Sequence, residues 1–457
     1  MYSKIIKNIV FPLYQMKIPP DERFIMQLKL MDKTQWWSYS ELEKLQLKRL
    51  KKLLHHANDN VPFYHRMFKT LNFKPEYVLS VKDLNKLPIL TKEIIRNHFD
   101  ELYPRNYSKD DLVLSCTSGS TGSPMNFYVD RRWNACNNAS AYRAWSWAGY
   151  NLGNKIAYLW GAPSDFSTIS KIDKIRNYLL RTIYLDAFNL TDKNMATYAK
   201  ILRKFKPKII NSYASTIFLF SEYLKKEGIN FIKPRAILTT ADMLYNHQRK
   251  AIEQIFDCEV FDYYSGRDTS LQAAECPEHS GYHLSIENAV VEFIKEKEHV
   301  SHGETGKIIL TDLCNYAMPF IRYEIGDLGT PSDEVCACGR KLPIMKSLKG
   351  RMFDFIITPE GKYLAGEYFH YAIIDHHING INEFQILQNS INKLTVYIVK
   401  NPIGKTNDVN RFIALIQKEV GENVGIELKY VSSIKRTPSG KLRHVISNIN
   451  KSDIILT

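Results

Sequence analysis

The chain has 457 residues, with 44% hydrophobic side chains and a formal charge of +14 from 62 basic and 48 acidic residues. At about 150 residues per domain this is enough for a sizeable core in one large body plus a smaller piece, and it excludes a disordered or fibrous chain. No apolar run approaches the roughly 18 residues that cross a bilayer, which argues against an integral membrane protein.

The first residues, Met1–Pro12, are basic and then apolar. Lys7 interrupts the apolar stretch and no small-residue cleavage site follows, so no secretory signal is expected. Residues 1–100 hold 18 Lys/Arg against 10 Asp/Glu, spread among Leu, Ile and aromatic residues at helical spacing. Solvated helix faces account for such a pattern. The charge is not gathered into one stripe and no nucleic-acid module is recognised, so nucleic acid is not an expected partner. Ile5, Ile6, Ile9, Val10 and Phe11 form an apolar side of Met1–Met16. They pack either on the protein's own body or, peripherally, on the inner membrane face. Seven cysteines, an odd number, do not suggest a disulfide framework, and a cytoplasmic location fits.

Residues 40–70 read as an amphipathic helix with Leu42, Leu45, Leu50, Leu53 and Leu54 on one side. Ser40 stands at the N-cap and Asn60-Val-Pro ends it. Between 108 and 270, short β-rich runs alternate with helical ones. Lys155–Trp160, Lys208–Asn211 and Ala236–Thr240 read as strands, and Met195–Phe205, Ile217–Glu227 and Gln248–Phe256 as helices. This rhythm predicts an α/β body with largely parallel strands. Strands follow at Ala289–Ile294, Lys307–Thr311 and Phe320–Tyr323. Composition shifts near Lys349-Gly-Arg-Met-Phe. Beyond it, strands at Phe384–Leu387, Leu394–Val399 and Glu427–Val431 and a helix at Val409–Val420 suit a small α+β domain. The domain expectation is therefore 1–350, with a helical segment over about 1–100, and 351–457.

Three motifs stand out. Ser115-Cys-Thr-Ser-Gly-Ser-Thr-Gly-Ser-Pro124 follows a strand-like Asp111–Leu114; its backbone N–H groups and hydroxyls suit phosphate oxygens, although it lacks the Gly-Lys-[Ser/Thr] of a Walker A loop. Phe261-Asp-Tyr-Tyr-Ser-Gly-Arg-Asp268 puts an aromatic, a small-residue turn and a carboxylate after a strand. Pro319-Phe-Ile-Arg-Tyr-Glu-Ile-Gly-Asp327 ends in a carboxylate suited to ribose hydroxyls. Each, taken alone, is equally an ordinary loop or strand end. With Gly350-Arg351 and Pro438-Ser-Gly-Lys441, however, they fall in the order of the core motifs of acyl-adenylate-forming enzymes. The chain resembles that superfamily over nearly its whole length. More narrowly it is similar to the phenylacetate–CoA ligase branch with its CapK-like members, linked with capsule polysaccharide synthesis. The narrower likeness rests on Leu45-Gln-Leu-Lys-Arg-Leu with Asn60-Val-Pro-Phe-Tyr, on Arg235-Ala-Ile-Leu-Thr-Thr-Ala-Asp, and on Ala274-Glu-Cys-Pro-Glu-His-Ser-Gly-Tyr-His283.

The resemblance implies an α/β fold: a large adenylate-forming domain with mixed and parallel sheets and a small mobile C-terminal α+β domain. It implies ATP-dependent activation of a carboxylic acid, with coenzyme A as acyl acceptor. The alternatives are a non-CoA acceptor, or a nucleotide-binding relative acting as an interaction module that docks on a membrane or a polysaccharide-assembly partner. The same resemblance assigns Thr117, Ser118, Gly119, Ser120, Thr121 and Gly122 to the ATP phosphates, Tyr264 to adenine, Asp268 to Mg²⁺, Asp327 and Arg351 to the ribose, and Lys441 to catalysis. Its substrate region falls around Tyr142–Trp147, Asn211–Ser215 and Thr239–Asp242. The chain departs from the family pattern at Ser265 (usually Gly), at Asp268 and Asp242 (usually Glu), and at Phe353, where the acid comes one residue late at Asp354. Cys276, His283, Cys336 and Cys338 make a donor set for a structural Zn²⁺, a pattern related chains share, with His279 as the alternative nitrogen and buried free thiols as the alternative reading. Cys116, Cys136, Cys258 and Cys314 read as small core residues.

Overall fold

The computed structural model describes Ile6 and residues 18–19, 22–116, 125–160, 175, 177–187, 190, 192–241, 243–351, 355–359, 363–365, 369, 373, 376, 378–402, 407–435 and 443–449. The chain forms two compact units, one taking most residues up to Ser347 and the other most residues from Leu348.

The first unit opens with helices α1 (Phe24–Thr34), α2 (Tyr39–Asn60) and α3 (Pro62–Thr70). The predicted cap at Ser40 is corrected to Ser38. Its hydroxyl accepts from the Glu41 N–H at 3.3 Å while the Glu41 carboxylate accepts from the Ser38 N–H at 2.8 Å, so the box closes on Glu41 and the helix starts earlier. The helix breaks as expected at Val61, whose extended backbone precedes Pro62. Leu42, Leu50, Leu53, Leu54 and Ala57 are all buried. Ile6 is buried too, in a cluster with Phe24, Ile25, Leu28 and Met31, which directs that side chain to the protein's own body. No helix among the described residues is long and apolar enough to cross a membrane.

Strands β1 (Val113–Cys116) and β2 (Asn126–Val129) pair antiparallel, and helix α4 (Arg131–Trp147) follows. The predicted alternation then appears as β3 (Ile156–Trp160), β4 (Thr182–Asp186), helix α5 (Asp192–Phe205), β5 (Ile209–Tyr213), helix α6 (Ala214–Lys226), β6 (Ala236–Thr240), helix α7 (Asn246–Phe256) and β7 (Glu259–Ser265). These five strands pair parallel in the order β4-β3-β5-β6-β7. Their register puts Ala157, Leu159, Ile210, Ile237 and Val260 on one face, packed with Leu202, Ile217, Phe220, Ile252 and Phe256. Each of the larger of these side chains, fully buried, contributes roughly 1.5–3 kcal/mol.

The sheet continues with β8 (Gln272–Ala274), β9 (Tyr282–Leu284), β10 (Ala289–Lys295), β11 (Glu298–His299), β12 (Gly306–Asp312), β13 (Tyr323–Ser332) and β14 (Ile344–Arg351), giving twelve strands in the order β11-β10-β12-β13-β14-β9-β8-β7-β6-β5-β3-β4. Because β7–β8, β8–β9 and β14–β9 are antiparallel, the sheet is mixed. The predicted strand Phe320–Tyr323 is corrected: β13 begins only at Tyr323, because Arg322 adopts a left-handed φ of 52° that interrupts the pleat. The second unit holds β15 (Phe355–Ile357) paired with β16 (Tyr363–Ala365), and a four-stranded sheet β19-β18-β17-β20 made of β17 (Ile381–Ser390), β18 (Lys393–Lys400), β19 (Gly425–Tyr430) and β20 (Val445–Ser447). Helix α8 (Asp408–Val420) buries Phe412 and Ile416 in a core with Ile386, Val396 and Ile398.

Helix α4 is fixed by a fully buried ion pair. Arg143 Nη1 lies 2.6 Å from Glu287 Oε1, and the Thr34 hydroxyl donates to the same oxygen at 2.6 Å. Burial pushes the Glu287 carboxyl up, but Arg143 and Thr34 outweigh it and hold the group below the usual carboxylate range. Arg143→Met is expected to strand Glu287 and cost about 3–5 kcal/mol, whereas Arg143→Met with Glu287→Leu recovers most of that. Thermal melting of the single and double variants checks this; equal Tm losses for both would refute it.

Candidate functional site

The carboxyl ends of β5, β6 and β7 bring polar side chains onto an otherwise apolar sheet. Open α/β sheets bind ligands in the crevice outside these ends. Tyr264 and Ser265 close β7, and the turn through Gly266 leads to Asp268. A Cβ on Gly266 would come within 2.8 Å of Asp268 Oδ1, so the missing side chain leaves room for that carboxylate to fold back over the turn. Asp268 is buried and accepts the Tyr323 hydroxyl at 2.6 Å. Tyr264 is buried at the strand end, and Asp327 is buried within β13. Arg322, from the same sequence motif, is engaged elsewhere: its Nε and Nη2 lie 3.1 and 3.0 Å from the Glu292 carboxylate, which makes it an anchor for the chain entering β13.

Arg351 is the last residue of β14. The loop Thr117, Ser118, Gly119, Ser120, Thr121 and Gly122 lies outside the described residues, as do Asp242, Phe353, Asp354 and Lys441.

Below β7 runs a chain of buried charge that sequence reasoning missed. Asp262 accepts from the Thr239 and Tyr282 hydroxyls, both at 2.7 Å, and its backbone N–H donates to Glu275 at 2.9 Å. Glu275 in turn receives two bonds from Arg249, at 2.7 and 2.8 Å. Burial and the neighbouring Glu275 push the Asp262 carboxyl up to about 7. Burial also acts on Glu275, but His279 and Arg249 prevail and hold it below its usual range. The available signal was an acid inside the apolar run Val260–Tyr264.

Cys276, His283, Cys336 and Cys338 present donor atoms that all lie within 4.8 Å of one another. The Cys276 and Cys336 sulfurs are 3.5 Å apart, and Cys338 Sγ is 3.4 Å from His283 Nε2. Tetrahedral zinc with two such ligand types has edges of roughly 3.5–3.8 Å. Burial pushes His283 down to about 4, so the imidazole is neutral and free to ligate, with Nδ1 3.4 Å from the Leu342 carbonyl. His279 instead faces Glu275, at 3.1 Å. Gly281, at a φ of 143°, lets β9 approach β14, where a Cβ would meet Ile344 at 2.7 Å. Among the described residues Cys136 and Cys314 are buried and Cys258 is half-buried.

A family model described as the CapK C-terminal domain matches residues 356–448. Protein CapK of Staphylococcus aureus is 26% identical over 432 residues, covering 90% of each chain. The phenylacetate–coenzyme A ligase of Thermus thermophilus is 23% identical over 89% of this chain and 96% of its own. Among solved structures, 2-hydroxyisobutyryl-CoA ligase in the postadenylation state superposes with a TM-score of 0.68 at 19% identity, covering 92% of each chain.

The raised Asp262 carboxyl sets a sign for stability against pH. Its folded pKa of about 7 lies above the ordinary carboxylate value. Between the two, the folded state therefore holds a proton that the unfolded state releases. This group's contribution is fully present at low pH and is lost as pH rises through about 7. Asp262→Asn removes the ionisation. Its Tm relative to wild type is expected to rise on going from acid to mildly alkaline buffer; a constant difference across that range would refute the assignment.

Proposed function

We propose that the chain, similar over most of its length to Protein CapK and to phenylacetate–coenzyme A ligases, is an acyl-adenylate-forming enzyme that activates a carboxylic acid with ATP and passes the acyl group to coenzyme A. The observation that carries the reading is the turn after β7, where Tyr264 stands at a strand's carboxyl end and Asp268 is held by Tyr323.

In this reading the substrate carboxylate oxygen attacks the α-phosphorus of ATP. The bond to the bridging oxygen breaks and pyrophosphate leaves. The thiolate of coenzyme A then attacks the acyl carbon and AMP leaves. Two anions must meet in the first step, so positioning and cationic stabilisation dominate. Thr117–Gly122 takes the phosphates, Tyr264 the adenine, and Asp327 and Arg351 the ribose. Lys441 bridges carboxylate and α-phosphate as a compact point charge. Asp268 suits Mg²⁺, since Tyr323 is the one hydrogen-bond donor to its carboxylate among the described residues. The ion, when bound, neutralises charge on the departing pyrophosphate. Asp for Glu at this position shortens the reach by one carbon.

The large 1–350 body and the 351–457 domain then act as separate parts, the smaller one delivering Lys441. We assign Cys276, His283, Cys336 and Cys338 to one structural Zn²⁺, a closed four-ligand set with no position open for chemistry. A cytoplasmic place in surface polysaccharide synthesis is part of the same reading and rests on the CapK likeness alone.

Pyrophosphate release from ATP and Mg²⁺ is expected to depend on an added acid and to be stimulated by coenzyme A. Release indifferent to coenzyme A would overturn the acceptor, and no release with any acid would overturn the activity. Lys441→Ala is expected to slow adenylation by about a hundredfold or more while calorimetry still registers ATP binding; full release by that variant would refute its role. Elemental analysis of the purified chain should find about one zinc per chain, lost in Cys338→Ser along with several degrees of Tm. A folded, zinc-free wild type would refute the metal site.

A further inference from the structure

The stretch that follows α3 carries apolar and basic side chains outward on a firm base. It contains two short 3-10 turns, Pro75–Tyr77 and Val81–Lys86, both packed against α2. Phe73, Val78, Leu84 and Leu87 are buried. The Asp83 carboxylate accepts from the Leu79 and Ser80 N–H groups at 2.9 and 3.0 Å and from the Lys86 ammonium at 2.8 Å. Arg322 Nη1 donates to the Asn85 and Leu87 carbonyls. The stretch is therefore held from within, and its own apolar core is already made.

On this base Tyr77 is 68% and Leu79 78% exposed. They flank Val78, whose extended backbone (φ −72°, ψ 113°) turns its own side chain inward and sends both neighbours outward on one side. Singly exposed apolar residues are ordinary; the surroundings set these apart. Residues 66–86 hold five basic side chains against two acidic ones. Arg66 is paired with Glu101 and Lys86 with Asp83. Lys69, Lys74 and Lys82 are exposed and outside any ion pair among the described residues. The Lys74 ammonium lies 5.4 Å over the Tyr77 ring, so charge and aromatic surface are presented at one spot.

Apolar tips fringed by cations suit a surface that is apolar within and anionic at its boundary. Tyrosine and lysine are side chains that settle at headgroup level, and each lysine near an anionic leaflet adds attraction that salt screens. A second copy of the chain fits poorly, because a two-fold contact sets the same patch on itself, lysine against lysine. A folded protein partner is disfavoured by size: stable interfaces take roughly 800 Å² from each side, more than two side chains and a lysine fringe supply.

We propose that this stretch is a membrane-docking face, with Tyr77 and Leu79 entering the headgroup boundary of an anionic bilayer and Lys69, Lys74 and Lys82 meeting its lipid phosphates. Docking there needs nothing from the acid-activating site and would fix where that site works.

Sedimentation of the full chain with vesicles of phosphatidylcholine, alone or mixed with phosphatidylglycerol, tests it. The chain should partition into the mixed vesicles about tenfold more strongly than into the neutral ones, and lose that preference in high salt. Tyr77→Ser with Leu79→Ser should weaken partitioning about tenfold or more, as should Lys69→Ala, Lys74→Ala and Lys82→Ala together. Lys200→Ala, Lys204→Ala and Lys225→Ala together remove the same charge from exposed positions of α5 and α6 and should leave partitioning near wild type. Equal loss in the two triple variants would reduce the effect to net charge and overturn the face. Failure of the wild type to sediment, or sedimentation that the Tyr77/Leu79 variant leaves unchanged, overturns the docking itself. A dimer seen by light scattering that Leu79→Ser dissolves would give the face to a second copy and overturn the bilayer as its occupant.

Discussion

The buried Arg143–Glu287 pair is the constraint on which the first unit depends. Its two charges lie in an interior where either alone would be strongly disfavoured, so each fixes the place of the other. Arg143 comes from α4, Glu287 from the segment between β9 and β10, and Thr34, which completes the set, from the end of α1. Three stretches far apart in sequence are thus tied at one point. Through α4 the pair sets Trp145, two residues on, against the carboxyl edge of the parallel strands. Through the chain before β10 it restrains the β9 segment that carries His283.

A second set of buried charges extends this control. Asp262 is gripped by Tyr282, from β9, and by Glu275, beside Cys276. The Cys/His cluster and the strand end that carries Tyr263 and Tyr264 are therefore coupled through one residue, Asp262, whose carboxylate accepts from Tyr282 and whose backbone N–H donates to Glu275. A metal at the cluster would act on the site through this route, by fixing Glu275 and Tyr282, and would need no contact with a substrate. Aligning a strand end in this way is the kind of support that fixes reacting groups in place.

The sequence made the parallel half of the sheet legible because its signals are local. Ala236–Thr240 is read with the bounds it has, and Met195–Phe205 and Gln248–Phe256 miss by three residues or fewer at their starts. Helix α4 was not foreseen. Between its tryptophans the buried face holds Ala135, Cys136, Ala139, Ser140, Arg143 and Ala144, which recur at four-residue steps but are small or polar and so give a weak apolar signal. Only the Asp130 cap, which accepts from the Trp133 N–H at 2.7 Å, marked its start. Phe320–Tyr323 failed for the opposite reason: strand-forming Phe320 and Ile321 are overruled by the tertiary grip on Arg322, and Tyr323 alone enters β13. The four zinc-type donors were legible as residue types, with His283 set ahead of His279, and the pairing of β9 with β8 and β14 brings His283 together with the three cysteines.

In the proposed reading Asp268 takes the place of a longer acid, and the local structure acts on that difference. Aspartate places its carboxylate one carbon nearer the backbone than glutamate, which by itself would withdraw it from a shared target. Two features of this chain act on that deficit. Gly266 keeps the space beside Oδ1 open, where a Cβ would intrude, and the Tyr323 hydroxyl holds Oδ2 from the far side. With one oxygen pinned and the other unobstructed, rotation about the side chain is restricted, and in the proposed reading less entropy would be lost on engaging Mg²⁺. The third local difference, Ser265 in place of glycine, belongs to the same adjustment. Ser265 remains in β7, paired with Gln272, so the flexible position moves one residue along, to Gly266, where the carboxylate needs it.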